Sequence, residues 1–133
     1  MSASQIHHVG VAVANLDASI ELYRRALGAE LVHRASSESE GIEAALLRIG
    51  SDEIELMSAL RDDSPVGKFM AKRGPGLHHV AYGVKDIDLA LAEARAAGLE
   101  LIDAEPRIGL NGRRIAFVHP KSVGGVLTEF VET

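Results

Sequence analysis

The side chains best equipped for chemistry in this chain are histidines that come in pairs, His7-His8 near the start and His78-His79 in the middle. Each pair sits at the same point of a near-repeated segment: Ile6-His7-His8-Val9-Gly10-Val11-Ala12-Val13 returns as Leu77-His78-His79-Val80-Ala81-Tyr82-Gly83-Val84. The correspondence continues through Asp17 and Asp88, Ile20 and Leu91, Gly28 and Gly98, and Leu31 and Leu101. An internal repeat means one supersecondary unit used more than once. Two copies facing each other would bring one histidine from each into a shared cleft, and neutral imidazole is a common ligand for divalent metal ions.

Two imidazoles need companions, and the repeat supplies them. Glu55, in Glu53-Ile54-Glu55-Leu56-Met57, and Glu129, in Leu127-Thr128-Glu129-Phe130-Val131, occupy the last apolar segment of each copy. A carboxylate buried there without a partner is costly, and a cation is one of the few groups that would compensate it. The plain alternative for either residue is an exposed edge-strand charge, which is the expected state of Glu53 and Glu132. Two His and two Glu suit a borderline or hard divalent ion with room for substrate oxygens, rather than a closed structural zinc site. Cobalt, manganese, nickel and zinc all match the ligand types. There is no cysteine, which excludes thiolate ligands and disulfides.

Positioning these groups requires strands. Residues 6–13 and 77–84 read as the opening strand of each copy, followed by a helix with Asp17 or Asp88 as N-cap and Gly28 or Gly98 as left-handed C-cap. Apolar runs at 29–32, 42–49 and 54–57, matched by 99–102, 114–118 and 126–131, give three further strands per copy. The spacing therefore predicts one domain over 1–133, with repeats at 6–58 and 77–132 joined by a linker helix around 64–73 that Ser64-Pro65 opens and Gly74-Pro75-Gly76 closes. Strand parity then separates the histidines. His8 shares a face with Gly10 and Ala12, and His79 with Ala81 and Gly83, so these two should face the cleft. His7 and His78 should face the helix layer or the strand edge.

Composition excludes several classes of function. The chain has 133 residues, a net charge of −5, three Phe, two Tyr and no Trp, which leaves neither the clustered cations nor the aromatic platform that nucleic acid requires. No apolar run approaches the ~20 residues needed to span a bilayer, and Met1 to Gln5 is too short and polar for a signal peptide. A cytoplasmic protein without a membrane or nucleic-acid partner is the expectation.

Four stretches together resemble a known family: His8 to Val13; Ser64-Pro65-Val66-Gly67-Lys68-Phe69 with Lys72-Arg73-Gly74; Gly76-Leu77-His78-His79-Val80-Ala81; and Phe117-Val118-His119-Pro120-Lys121-Ser122 followed by Gly125-Val126-Leu127-Thr128-Glu129. They are similar to the methylmalonyl-CoA epimerases, within the vicinal oxygen chelate (glyoxalase/bleomycin resistance) superfamily, and the likeness covers essentially the whole chain. The resemblance implies an α+β fold of tandem βαβββ modules forming a half-open barrel cleft, a divalent metal ion in that cleft and a homodimer. Its metal ligands fall on His8, Glu55, His79 and Glu129, the set that repetition and parity also select.

The implied reaction is epimerisation of methylmalonyl-CoA at C2 through a metal-stabilised enolate, because a polarised thioester carbonyl acidifies the neighbouring carbon. The resemblance assigns Glu129 an acid/base role on one face. For the other face, a branch of the family places a Glu three positions beyond a Gly; that position is Ala44 here, and Glu43 lies one residue away. Glu43, through a bulge or register slip, or an ordered water is then the second candidate. Lys68, Lys72, Arg73 and Lys121 are candidate partners for coenzyme A phosphates, against the alternative of a solvated helix face. Two rival readings are a glyoxalase I-like lyase or isomerase acting on glutathione hemithioacetals, and a non-catalytic protein that sequesters a small molecule. His119-Pro120-Lys121-Ser122 in place of an Asp-Pro-Asp-Gly-like turn argues against the first.

Overall fold

Each copy of the repeat folds as a strand, a helix and three more strands. In the computed structural model, which describes residues 3–133, the first copy comprises β1 (Gln5–Ala12), α1 (Leu16–Leu27), β2 (Glu30–Ser37), β3 (Ile42–Ile49) and β4 (Asp52–Ala59). Next comes α2 (Pro65–Arg73), and the second copy comprises β5 (Gly76–Val84), α3 (Ile87–Ala96), β6 (Arg107–Ile108), β7 (Arg114–Val118) and β8 (Thr128–Glu132). The fold is mixed α+β, as the alternation of strand and helix patterns implied. Met1 and Ser2, the start of the segment weighed above as a leader, lie outside the described residues. Among those residues no helix is long and apolar enough to cross a membrane.

Two compact units arise from this chain, and their boundary does not follow the repeat. Residues 9–78 form one; residues 79–133, together with the N-terminal residues through His8, form the other. In the first the strands run in the order β2-β3-β4-β1, with β1 parallel to β4 and the other neighbours antiparallel. In the second the order is β5-β8-β7-β6, with β5 parallel to β8 and the rest antiparallel. A parallel pair needs a long crossover, and in both units the helix and intervening strands supply it.

Each helix covers one face of its strands. Leu16 and Ile20 of α1 pack on Ala45, Leu47 and Leu56, with Val11, Tyr23, Ile49 and Ile54 around them. Ile87, Ala90 and Leu91 of α3 pack on Val84 and Ala116. Because successive strand residues point to opposite faces, the neighbours of Ala116 form a separate cluster on the far side, where Ala81, Ile115 and Val131 meet Phe117.

The helix starts differ from the sequence expectation. Asn15 and Asp86, not Asp17 and Asp88, are the N-caps: Asn15 Oδ1 accepts from Ala18 N at 2.9 Å and Asp86 Oδ1 from Leu89 N at 3.1 Å. Asp17 and Asp88 fall in the first turn, where a carboxylate suits the helix dipole, and each is held by an arginine from a strand. Arg34 reaches Asp17 at 2.6 Å and Glu43 at 3.1 Å; Arg114 reaches Asp88 at 2.9 Å and Glu132 at 3.2 Å. Gly28 is the expected left-handed C-cap, with φ 67°, whereas α3 is capped by Ala97 and Gly98 follows it. The strand expected at 99–102 is also displaced. Leu101 makes only an isolated bridge to Val118, and the ladder is interrupted because the Asp103 carboxylate accepts the Phe117 amide at 2.9 Å.

Candidate functional site

Three of the sequence-selected residues converge in the unit formed by the N-terminal residues and residues 79–133. His8 comes from β1, His79 from β5 and Glu129 from β8, where Glu129 stands opposite Ala81 on one side and Phe117 on the other. All three are buried, with 5%, 1% and 5% of their surface exposed respectively. His7 and His78 are half-buried, so parity identified the two inward imidazoles.

The contact atoms form a nearly equilateral triangle. His8 Nε2 lies 3.1 Å and His79 Nε2 3.2 Å from Glu129 Oε1, and the two Nε2 atoms are 3.2 Å apart. The imidazole planes cross at 85°, and Phe117 closes the far side of His79 edge to face, 5.5 Å between centroids. Despite these short distances Glu129 Oε1 receives no hydrogen bond of acceptable direction. Metal–ligand bonds of about 2.1 Å place neighbouring ligand atoms roughly 3.0–3.4 Å apart, so the spacing, the orphaned carboxylate oxygen and the donor types all fit a divalent ion.

Electrostatics favour an ionised carboxylate here. Burial pushes the Glu129 carboxyl up, but the His79 and His8 imidazoles against it more than offset that and hold it at about 2. The trio therefore presents a charged oxygen and two nitrogen donors from a dry setting, where charges act with little screening.

The remaining sequence-selected residues lie elsewhere. Glu55 is half-buried on β4 in the other unit, opposite Gly10 of β1 and Leu46 of β3. Glu43 stands on the same side of β3 as Ala45 and Leu47, the side that α1 covers, and its carboxylate is taken by Arg34. Leu46 pairs with Glu55 and Ala44 with Met57, so Glu43 and Glu55 point to opposite faces. No bulge or slip in the β3–β4 register reverses that. Lys68, Lys72 and Arg73 are exposed on α2; Arg73 lies over the Phe69 ring, whose other neighbour is His78. Lys121 is bound to Glu100 at 2.9 Å, and His119 caps the short 3-10 turn Pro120–Ser122.

Two neighbours of the trio escaped the sequence reading. Phe117 sits in Ile115-Ala116-Phe117-Val118, which looks like any core strand. His7 touches His8 at 2.9 Å; the doubled histidine was the available signal, but strict parity placed the two rings apart.

Comparison with known proteins gives concordant results. A family model described as glyoxalase/bleomycin resistance protein/dioxygenase superfamily matches residues 7–117. An ethylmalonyl-CoA/methylmalonyl-CoA epimerase of Cereibacter sphaeroides is 34% identical over 127 residues, 94% of this chain and 95% of the relative. The crystal structure of methylmalonyl-CoA epimerase from Mycobacterium tuberculosis superposes with a TM-score of 0.93 at 42% identity, covering 98% of this chain and 88% of that one. A Streptomyces coelicolor methylmalonyl-CoA epimerase variant in complex with 2-nitronate-propionyl-CoA gives 0.95 at 41% identity, covering 99% and 96%.

Proposed function

We propose that this chain, which belongs to the glyoxalase/bleomycin resistance protein/dioxygenase superfamily, is an isomerase that epimerises methylmalonyl-CoA at C2. The observation that carries the reading is the buried trio of His8, His79 and Glu129 in a chain that has epimerases among its relatives at 34% to 42% identity over nearly its whole length. Neither a hemithioacetal lyase nor a sequestering protein is favoured beside such relatives.

His8, His79 and Glu129 would hold the divalent ion, with Glu55, the repeat counterpart of Glu129, as fourth ligand. Cobalt, manganese, nickel or zinc bound there would polarise the thioester carbonyl and make the neighbouring C–H acidic. The chain's own groups do the rest. The imidazoles keep Glu129 ionised and fix its Oε1, and burial keeps bulk water from screening it. Glu129 takes the C2 proton from one face as general base. Ala44 offers no acid on the strand position used in a branch of the family, and Glu43 is committed to Arg34, so the proton on the other face is assigned to a water molecule. Lys68, Lys72 and Arg73, exposed and without acidic partners among the described residues, would receive the coenzyme A phosphates; Lys121 would first leave Glu100. Ethylmalonyl-CoA is a second substrate of the same class, since one methylene is worth only about 1–3 kcal/mol of discrimination. A cytoplasmic homodimer belongs to the same proposal.

The test is proton NMR of racemic methylmalonyl-CoA in D2O with the metal-loaded protein, following the collapse of the methyl doublet as the C2 proton exchanges. Exchange of the whole pool supports epimerisation. Exchange of half the pool means that only one face is served, and no exchange with any of the four ions refutes the reading.

A further inference from the structure

Arg107 shares a strand face with Glu129 and has no part in the reaction as described. It stands opposite Ile115 across β6 and β7, Ile115 stands opposite Val131 across β7 and β8, and Phe117 stands opposite Glu129. Residues directly opposite in a ladder point to the same side, and so do residues two apart on one strand. Arg107 therefore projects from the face on which Ala81, Ile115 and Val131 pack with Phe117 and from which Glu129 projects. Its diagonal neighbour there is Phe117, within reach of a long side chain, and the guanidinium carbon lies 5.7 Å from the centre of that ring. The ring in turn meets the His79 imidazole edge to face at 5.5 Å.

The guanidinium is placed from two sides. Asp103 Oδ1 accepts from Arg107 Nε at 3.3 Å while Oδ2 accepts the Phe117 amide at 2.9 Å, so one carboxylate fixes both the cation and the strand beneath it. The aromatic face holds the charge on its other side. The Arg107 side chain is 39% exposed, within reach of a ligand arriving from solvent. A guanidinium carries five N–H donors in a planar fork that matches the two oxygens of a carboxylate.

We infer that Arg107 binds the carboxylate of the substrate's acyl group and so selects carboxylated thioesters over plain ones. This rests on the reading of the chain as a methylmalonyl-CoA epimerase. The substrate of that reaction carries an anionic carboxylate on the reacting carbon, and Glu129, ionised and buried, repels it. A cation fixed on the same face offsets the repulsion and turns the carboxylate towards itself, leaving the C2 proton to Glu129. A thioester without the carboxylate gains nothing from Arg107.

The experiment titrates the metal-loaded full chain calorimetrically with racemic methylmalonyl-CoA, in which epimerisation causes no net change, and with propionyl-CoA, which lacks the carboxylate. Wild type should bind methylmalonyl-CoA the more tightly. In Arg107→Gln that affinity should fall roughly 10–100-fold, as expected for hydrogen bonds to a charged group, while propionyl-CoA binding stays within about twofold. Arg107→Lys keeps the charge without the paired donors and should recover part of the difference. A role confined to supporting Phe117 would weaken both thioesters alike and overturns the inference, as does an unchanged preference in Arg107→Gln or a wild type that binds the two alike. If Arg107→Gln does not fold, the ratio of the two affinities in Arg107→Lys still decides it. A wild type that prefers methylmalonyl-CoA but does not exchange its C2 proton refutes the reaction, while the ratio in Arg107→Gln still decides the carboxylate contact.

Discussion

Replacing Glu129 by Gln should change how the stability of the metal-free protein responds to acid. Folded Glu129 has its carboxyl held at about 2, against an ordinary value of 4.5. Between those values the unfolded chain binds more protons than the folded one, so stability rises with pH across the window. The contribution is complete above the ordinary value and drains away as pH falls towards the folded one. A gap of about 2.5 units corresponds to on the order of 3 kcal/mol. The group is buried, so solvent screening removes little of this. Glutamine cannot ionise and lacks the contribution throughout. Urea unfolding of both proteins in chelator, at several pH values from 6 to 3, should show the wild type losing about 2 kcal/mol more than Glu129→Gln over that range. The other carboxylates titrate in both proteins and cancel. Two stability curves that stay parallel would refute the claim that the imidazoles hold an ionised carboxylate in the trio.

Three further outcomes follow from the same geometry. Glu43→Gln should leave the exchange rate of methylmalonyl-CoA within a factor of about two, since Glu43 lies on the α1 side and serves Arg34; a loss beyond the ~100-fold typical of removing a general base would restore it as a catalyst. Gly67→Ala should destabilise the chain by about 1–3 kcal/mol in urea unfolding, because its Cβ would meet the Arg61 and Asp62 carbonyl oxygens at 2.5 and 2.6 Å; an unchanged midpoint would mean that the first turn of α2 relaxes freely. Zinc at a hundred times its dissociation constant should stabilise the wild type by about 2.7 kcal/mol, and His79→Ala should abolish most of that gain; equal stabilisation of both proteins would place the ion elsewhere.

Much of the site was legible because it was written twice. The doubled His-His, the glutamates in otherwise apolar strands and the rule of alternating faces together selected His8, His79 and Glu129 before any coordinate was needed. The same rule showed that Glu43 and Ala44 face opposite ways, and the unbroken β3–β4 register keeps them so. What escaped were choices between near-equivalent short polar residues. Asn15 and Asp17 both qualify as N-caps, and the second became a first-turn carboxylate because an arginine on β2 reaches it. The strand expected at 99–102 failed for a comparable reason: a side chain, Asp103, took the amide that a ladder would have used. The His7–His8 contact was hidden because parity describes where side chains point and not where their first ring atoms lie.

His8 and His79 lie 71 residues apart, and this separation has a kinetic meaning. No hairpin or single helix–strand unit contains two members of the trio, so the site has no local precursor, and closing so long a loop carries an entropy cost repaid only by non-local contacts. Capture of an ion during refolding should therefore keep time with the last and slowest assembly phase. A coloured ion such as cobalt would act as a clock for completion of the fold, silent while the helices and hairpins form and visible only when distant strands have found one another.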